Sequence, residues 1–171
     1  MIALHDILRA GTVKRFHIVN TSRVQTLAEH QYGVAVLACE IAGRLGWDDA
    51  TVARLALLSI VHDAGETRTG DVPTPTKTRL REASGSLADD VFGQFDPVAN
   101  RDIPPHIKIV MKCADYLESM IFLMEHKVGR HADAVMDDIL TQGFRFFDLA
   151  GETGRVASQV WSEIQNAAYE I

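Results

Sequence analysis

Between positions 62 and 75 the chain gathers His62, Asp63, Glu66 and Asp71 together with Pro73 and Pro75. Imidazole and carboxylate are side chains that divalent ions accept, and an adjacent His and Asp can both reach one ion at a helix end. The apolar run Val52 to Val61 leads straight into this stretch. Polar groups that close a buried helix need a partner to offset their desolvation, and a metal ion is one such partner. The bland reading of the pair alone is a helix C-terminus carrying a favourable cation and a solvated acid. A second His-Asp pair, His5-Asp6, shows how common the dipeptide is. Gly65 lets the chain turn out of the helix. Gly70-Asp71-Val72-Pro73-Thr74-Pro75 then makes a stiff connection, because each proline fixes its own φ and holds the preceding residue extended. A stiff loop behind a metal ligand suits the holding of a substrate group. Lys77, Arg79 and Arg81 follow, as a basic rim for phosphate or as a solvated helix face.

The elements that must position these residues are helices. Thr26-Leu27-Ala28-Glu29 has the pattern of a capping box and predicts a helix from there to about Leu45, stopped by Gly46. Its apolar stripe is Val34, Leu37, Ala38, Ile41 and Leu45, and His30 falls on that stripe in the first turn. Trp47-Asp48-Asp49 ends one helix and caps the next, in which Val52, Leu55, Ser59 and His62 share a face. If these two helices pack antiparallel, the start of the first lies beside the end of the second. His30 and His62 then meet at one end of the pair. Pro104-Pro105 begins a strongly apolar helix to about His126, with a stripe of Ile107, Val110, Met111, Ala114, Leu117, Ile121 and Met124. Asp115 borders that stripe, where an acid is costly to bury unless it is paired with Lys112 or Lys108 or holds a metal.

The remaining chain offers less chemistry. Leu4, Ile7 and Leu8 predict a short helix ended by Gly11, and 12 to 25 reads as a polar loop containing Lys14-Arg15-Phe16-His17-Ile18. Leu87, Val91, Phe92 and Phe95 allow a helix beyond an interruption at 84 to 86. Val135, Met136, Ile139 and Leu140 predict a helix running into Phe144, Phe146 and Phe147. Gly151 to Gly154 reads as a break, and Val156, Val160, Trp161, Ile164 and Ala168 as a last helix. No strand pattern, repeat or low-complexity segment stands out. The expected fold is all-α, a compact single-domain helical bundle spanning 1–171.

The 171 residues, 47% apolar and 23% charged, fit a globular protein of one domain. No apolar run approaches the roughly 20 residues that span a bilayer, and the N-terminus has no signal-type pattern, so a cytoplasmic protein with no membrane partner is expected. Cys39 and Cys113 lie in apolar helical patterns and read as buried reduced thiols. A net charge of −6 argues against binding nucleic acid polymers but leaves room for a local basic pocket.

Three separated segments thus offer inward polar residues in the order H…HD…D: His30, His62-Asp63 and Asp115. This order resembles the HD-domain phosphohydrolase superfamily, all-α metal enzymes acting on phosphate esters. Arg15 before the first His, Glu66 after the pair, and Gly70 to Lys77 resemble its 5′-deoxynucleotidase branch. His30 and His62 stand 32 positions apart, and His62 and Asp115 stand 53 apart. That compact spacing is similar to the phage dATP triphosphohydrolases of the same superfamily. The resemblance implies that His30, His62, Asp63 and Asp115 hold one Zn²⁺, Co²⁺, Mn²⁺ or Fe²⁺, with a second divalent ion accompanying the substrate phosphates. It implies catalytic roles for Glu66 and Asp71, phosphate contacts from Arg15 and Lys77, and base contacts from Phe16 and Ile18. The implied substrate is a deoxynucleotide, dATP (and dADP) first, or a monophosphate in the 5′-deoxynucleotidase alternative. A homo-oligomer, dimer or hexamer, is also implied. A non-catalytic helical module that binds a nucleotide or a protein is the reading from another class, and retention of Glu66 and Asp71 counts against it.

Overall fold

The computed structural model describes residues 4–84 and 102–168. Helix α1 (Leu4–Leu8) runs into a 3₁₀ turn (Arg9–Thr12), then strands β1 (Lys14–Arg15) and β2 (Gln25–Thr26). Helices α2 (Leu27–Arg44), α3 (Asp49–Val61), the single turn α4 (Glu66–Thr69) and α5 (Thr74–Ser84) follow. After the segment outside the described residues come α6 (Pro105–His126), α7 (Arg130–Leu149) and α8 (Glu152–Ala168). The all-α expectation is borne out. Leu87, Val91, Phe92 and Phe95, read as a further helix, lie outside the described residues.

Local sequence explains the boundaries. The capping box at α2 is formed in both directions: Glu29 N–H donates to Thr26 Oγ1 at 3.3 Å, and Thr26 N–H donates to Glu29 Oε2 at 2.6 Å. Asp48 caps α3 by accepting from Thr51 N–H at 3.0 Å, and Pro105 occupies the first turn of α6. The core runs through Val34, Ala38 and Ile41 of α2, Leu55 and Leu58 of α3, and Val110, Ala114 and Leu117 of α6. It continues into Phe147 of α7 and Val160 and Trp161 of α8. Helix α6 is central, packing on α2, α3, α7 and α8.

Two sequence expectations change, and two others gain detail. Leu4 and Leu8 are exposed, so α1 buries no apolar stripe of its own. The 12 to 25 segment is not wholly irregular: β1 and β2 form an antiparallel ladder pairing Lys14 with Thr26 and Arg15 with Gln25. Two residues per strand are too few for a period-2 pattern to register. The break at Gly151 to Gly154 is shorter than read, because α8 already begins at Glu152. Gly154 serves packing instead: a Cβ there would lie 1.8 Å from the Phe147 carbonyl oxygen, so only glycine lets α8 approach the end of α7 this closely. Finally, the second half of α6 is buried beyond its apolar stripe, with Glu118, Ser119 and Phe122 also inside.

Candidate metal centre

The antiparallel pairing of α2 and α3 brings the first turn of one beside the last turn of the other. His30 and His62 meet there, with ring centroids 5.4 Å apart. Helix α6 passes the same end and adds Asp115, whose Oδ1 lies 3.3 Å from His30 Nε2. One ligand atom each from His30, His62 and Asp115 fall within 4.8 Å of one another. Asp63 Oδ2 joins them at 3.3 Å from His62 Nε2 and 3.7 Å from His30 Nε2. His30 is fully buried, while Asp63 is the most open of the four.

The outer ring nitrogens decide what the inner ones can do. His62 Nδ1 lies 2.7 Å from the Ser59 carbonyl oxygen and His30 Nδ1 against Glu118 Oε2, both acceptors. With each Nδ1 held as a donor, each Nε2 is the ring atom aimed inward, and it offers a lone pair once its own proton is displaced. Both Nε2 atoms are buried and have no hydrogen-bond partner among the described residues. Two unpartnered imidazole nitrogens facing two carboxylates fit the donor set of a divalent transition metal.

The charges around this point are strongly coupled. Burial works against a charged imidazole at His62, but Asp63 and Asp115 outweigh it and hold its pKa at about 9. Burial likewise opposes ionisation of Asp63 and Asp115. His62 nonetheless holds Asp63 below the usual carboxylate range, and Lys112 with His30 does the same for Asp115. The Lys112 pairing expected for Asp115 is formed, with Lys112 Nζ donating to its Oδ2 at 2.7 Å, and Oδ1 is left facing His30. Glu66 is pushed the other way. Burial and the charge of Asp63 raise it to about 7 against the pull of Lys77. Lys77 Nζ donates to Glu66 Oε1 at 2.7 Å, and Glu66 Oε2 is buried with no partner among the described residues.

The remaining predicted residues divide. Arg15 lies within 3.8 Å of Asp63 Oδ2, and burial of its guanidinium is outweighed by Asp115 and Asp63, so its pKa is raised. Asp71 Oδ2 accepts the Phe16 N–H at 3.2 Å. Phe16 has φ +51°, an unusual conformation for a bulky residue, and its ring stacks on Phe122 at 5.5 Å. The Gly70 to Pro75 loop is thereby tied to the β1 end of the 12 to 25 segment. Ile18 is 60% exposed, and no contact joins it to the cluster among those described. Arg79 is exposed.

Sequence reading missed a second stripe on α6. Asp115, Glu118, Ser119 and Phe122 follow one another at helical spacing and share a face. They meet His30, His30 again, Arg15 and Phe16 respectively. The ladder delivers two polar partners of this face together. Arg15 and Gln25 are cross-strand neighbours, and they donate to Ser119 Oγ (3.4 Å) and Glu118 Oε1. The signal was present as a D-x-x-E-S-x-x-F run beside the apolar stripe.

A predominantly helical domain with an H…HD…D cluster at the meeting of three helices is the architecture of an HD phosphohydrolase. The HD phosphohydrolase DatZ of cyanophage S-2L, solved with dA and one catalytic Zn²⁺ ion, superposes with a TM-score of 0.80 at 26% identity over 96% of each chain. Residues 4–89 match the 5′-deoxynucleotidase YfbR-like family, and the chain belongs to that family. The dATP triphosphohydrolase of Salmonella phage PMBT28 is 37% identical over 135 residues, 75% of this chain and 69% of the relative. That of cyanophage S-2L is 30% identical over 139 residues, 81% and 79% of the two chains. The 5′-deoxynucleotidase YfbR of Escherichia coli is 35% identical over 72 residues, 40% of this chain and 36% of that one. The resemblance drawn from the H…HD…D order and its compact spacing is borne out.

Proposed function

We propose that this protein hydrolyses the 5′ ester of a deoxynucleotide at the α-phosphorus, with dATP as its principal substrate, yielding deoxyadenosine and triphosphate. The observation that carries the reading is the pair of buried, unpartnered Nε2 atoms of His30 and His62 aimed at Asp63 and Asp115. These four side chains would hold one divalent ion, Zn²⁺ by analogy with the cyanophage enzyme, or Co²⁺, Mn²⁺ or Fe²⁺. Such an ion, when bound, supplies Lewis-acid polarisation of a phosphoryl oxygen and lowers the pKa of water.

The chain's own residues do the rest. Glu66, whose Oε2 is buried and without a partner among the described residues, orients the attacking water and takes its proton. The bond from that water to the α-phosphorus forms as the bond to the 5′-oxygen breaks, and the leaving oxygen takes up a proton. Asp71 assists that proton transfer or holds a second ion with the phosphates. Arg15 stands across Asp63, where its guanidinium neutralises phosphate oxygens. Lys77 acts first on Glu66 and, at the same rim, on phosphate. Phe16 and Ile18 close on the base. In keeping with its charge, the protein acts on free nucleotides in the cytoplasm, as a homo-oligomer whose exposed Tyr32, Val36, Leu57 and Ile60 supply apolar surface for assembly.

A second reading, hydrolysis of deoxynucleoside monophosphates to deoxynucleoside and phosphate, is favoured by the family match over residues 4–89. One experiment separates them. The purified protein is incubated with Zn²⁺, Co²⁺ or Mn²⁺ and a panel of dNTPs, dNMPs and ATP, and products are resolved by chromatography. Deoxyadenosine and triphosphate from dATP, with other dNTPs spared, is the expected result. Nucleoside released only from monophosphates moves the protein to the second reading, and no product with any metal removes both.

A further inference from the structure

We propose that Glu118 is the positioning residue of the metal centre, and that Gln25 and Gly33 exist in their present form to serve it. The inference rests on the metal reading above and adds to it a residue outside the H…HD…D set. His62 is oriented by the backbone carbonyl of Ser59, three residues away on its own helix. His30 has no such local acceptor. Its Nδ1 meets Glu118 Oε2 across the α2–α6 interface, 88 positions along the chain. A carboxylate in this place fixes the ring, keeps the proton on Nδ1 and raises the basicity of Nε2.

Three features have no other evident purpose. Glu118 is 8% exposed and lies on the buried face of α6, where an unpaired acid is costly. Gln25, 2% exposed, donates its amide to the other oxygen of Glu118, so neither oxygen is free to swing away. Gly33, one turn past His30 in the middle of α2, occupies a position where glycine is disfavoured. A Cβ there would lie 2.7 Å from Glu118 Cγ. Glycine at 33 is thus the space through which Glu118 reaches His30. The ladder that carries Gln25 also carries Arg15, so phosphate and metal contacts are set by one hydrogen-bonded unit.

The test is titration of metal-free protein with Co²⁺, following visible absorption against a competing chelator, with unfolding of the metal-free form measured in parallel. E118A is expected to weaken Co²⁺ binding about 10–100-fold, the usual effect of removing such a partner. E118Q, which keeps an oxygen for Nδ1–H and lets Gln25 turn its own amide, should recover part of that loss. G33A should weaken binding without altering any polar group, and all three should change the Co²⁺ spectrum. A folded E118A with wild-type affinity and spectrum overturns the proposal. If E118A does not fold, wild-type Co²⁺ affinity in both E118Q and G33A overturns it equally. Failure of the wild-type protein itself to take up Co²⁺ is a separate result and removes the metal reading beneath it.

Discussion

Two regions of the molecule bury helices against α6 in opposite ways. At the end where α2 and α3 meet it, the contacts are polar and joined across long stretches of chain: His30 to Glu118, Gln25 to Glu118, Arg15 to Ser119. Around α7 and α8 the contacts are apolar and join shorter stretches of chain. Tyr116 meets Phe146, Phe144 meets Phe147, and Gly154 lies against the Phe147 backbone. The first region carries buried charge that neighbouring groups must offset. The second is a hydrophobic support. Substitutions in the first should therefore change chemistry more than stability, and substitutions in the second should do the reverse.

The strongest break is Asp63→Ala. It removes one of the four candidate ligands, and loss of the ion's contribution corresponds to about 10³-fold or more in turnover. Metal analysis and a product assay check it together, and a variant keeping both metal and turnover refutes the site. Glu66→Gln comes next, with a loss of about 10²–10⁴-fold in kcat while metal stays bound. The pH profile sharpens this. As a base Glu66 must be ionised, and its pKa is raised to about 7. Activity should then climb as pH rises through about 7 and fall below it. Lys77→Met, which removes the cation that pulls Glu66 down, should move that limb to higher pH. A limb that stays in place detaches Glu66 from the base role.

On the other side, Gly154→Val drives a side chain into the Phe147 backbone and should cost about 1–3 kcal/mol of stability. Its kcat per folded molecule should remain that of the wild type, and a large kcat change would mean that the two regions are not separable. The smallest effect is expected for Thr26→Ala, which removes the cap of α2 at about 0.5–2 kcal/mol, read as a lowered Tm. Because that cap also begins the helix bearing His30, a loss of metal affinity larger than the loss of stability would extend the polar region to the ladder.

The two regions also differed in how plainly the sequence spoke. Helices α2, α3, α6, α7 and α8 follow from apolar periodicity and caps, and the meeting of His30 with His62 follows from two helices and a short turn. Asp115 was visible because an acid beside an apolar stripe needs a reason. Glu118 was not, since its partners lie 88 and 93 positions away and periodicity carries no information on pairing. The β1–β2 ladder is too short for a pattern. Phe16 and Ile18 are alike in family resemblance alone; the first is packed on Phe122, while the second is exposed.

The left-handed backbone at Phe16 constrains how this position can drift. A bulky residue held at φ +51° carries roughly 1–3 kcal/mol of strain, which the Asp71 hydrogen bond and the Phe122 stack oppose. Glycine or asparagine would relax the turn but leave Phe122 without its neighbour. Another aromatic would keep the stack and inherit the strain. Position 16 therefore has few neighbours in sequence space, and, if the proposed base contact holds, a change of base preference is reached more readily by altering what surrounds the ring than by replacing it.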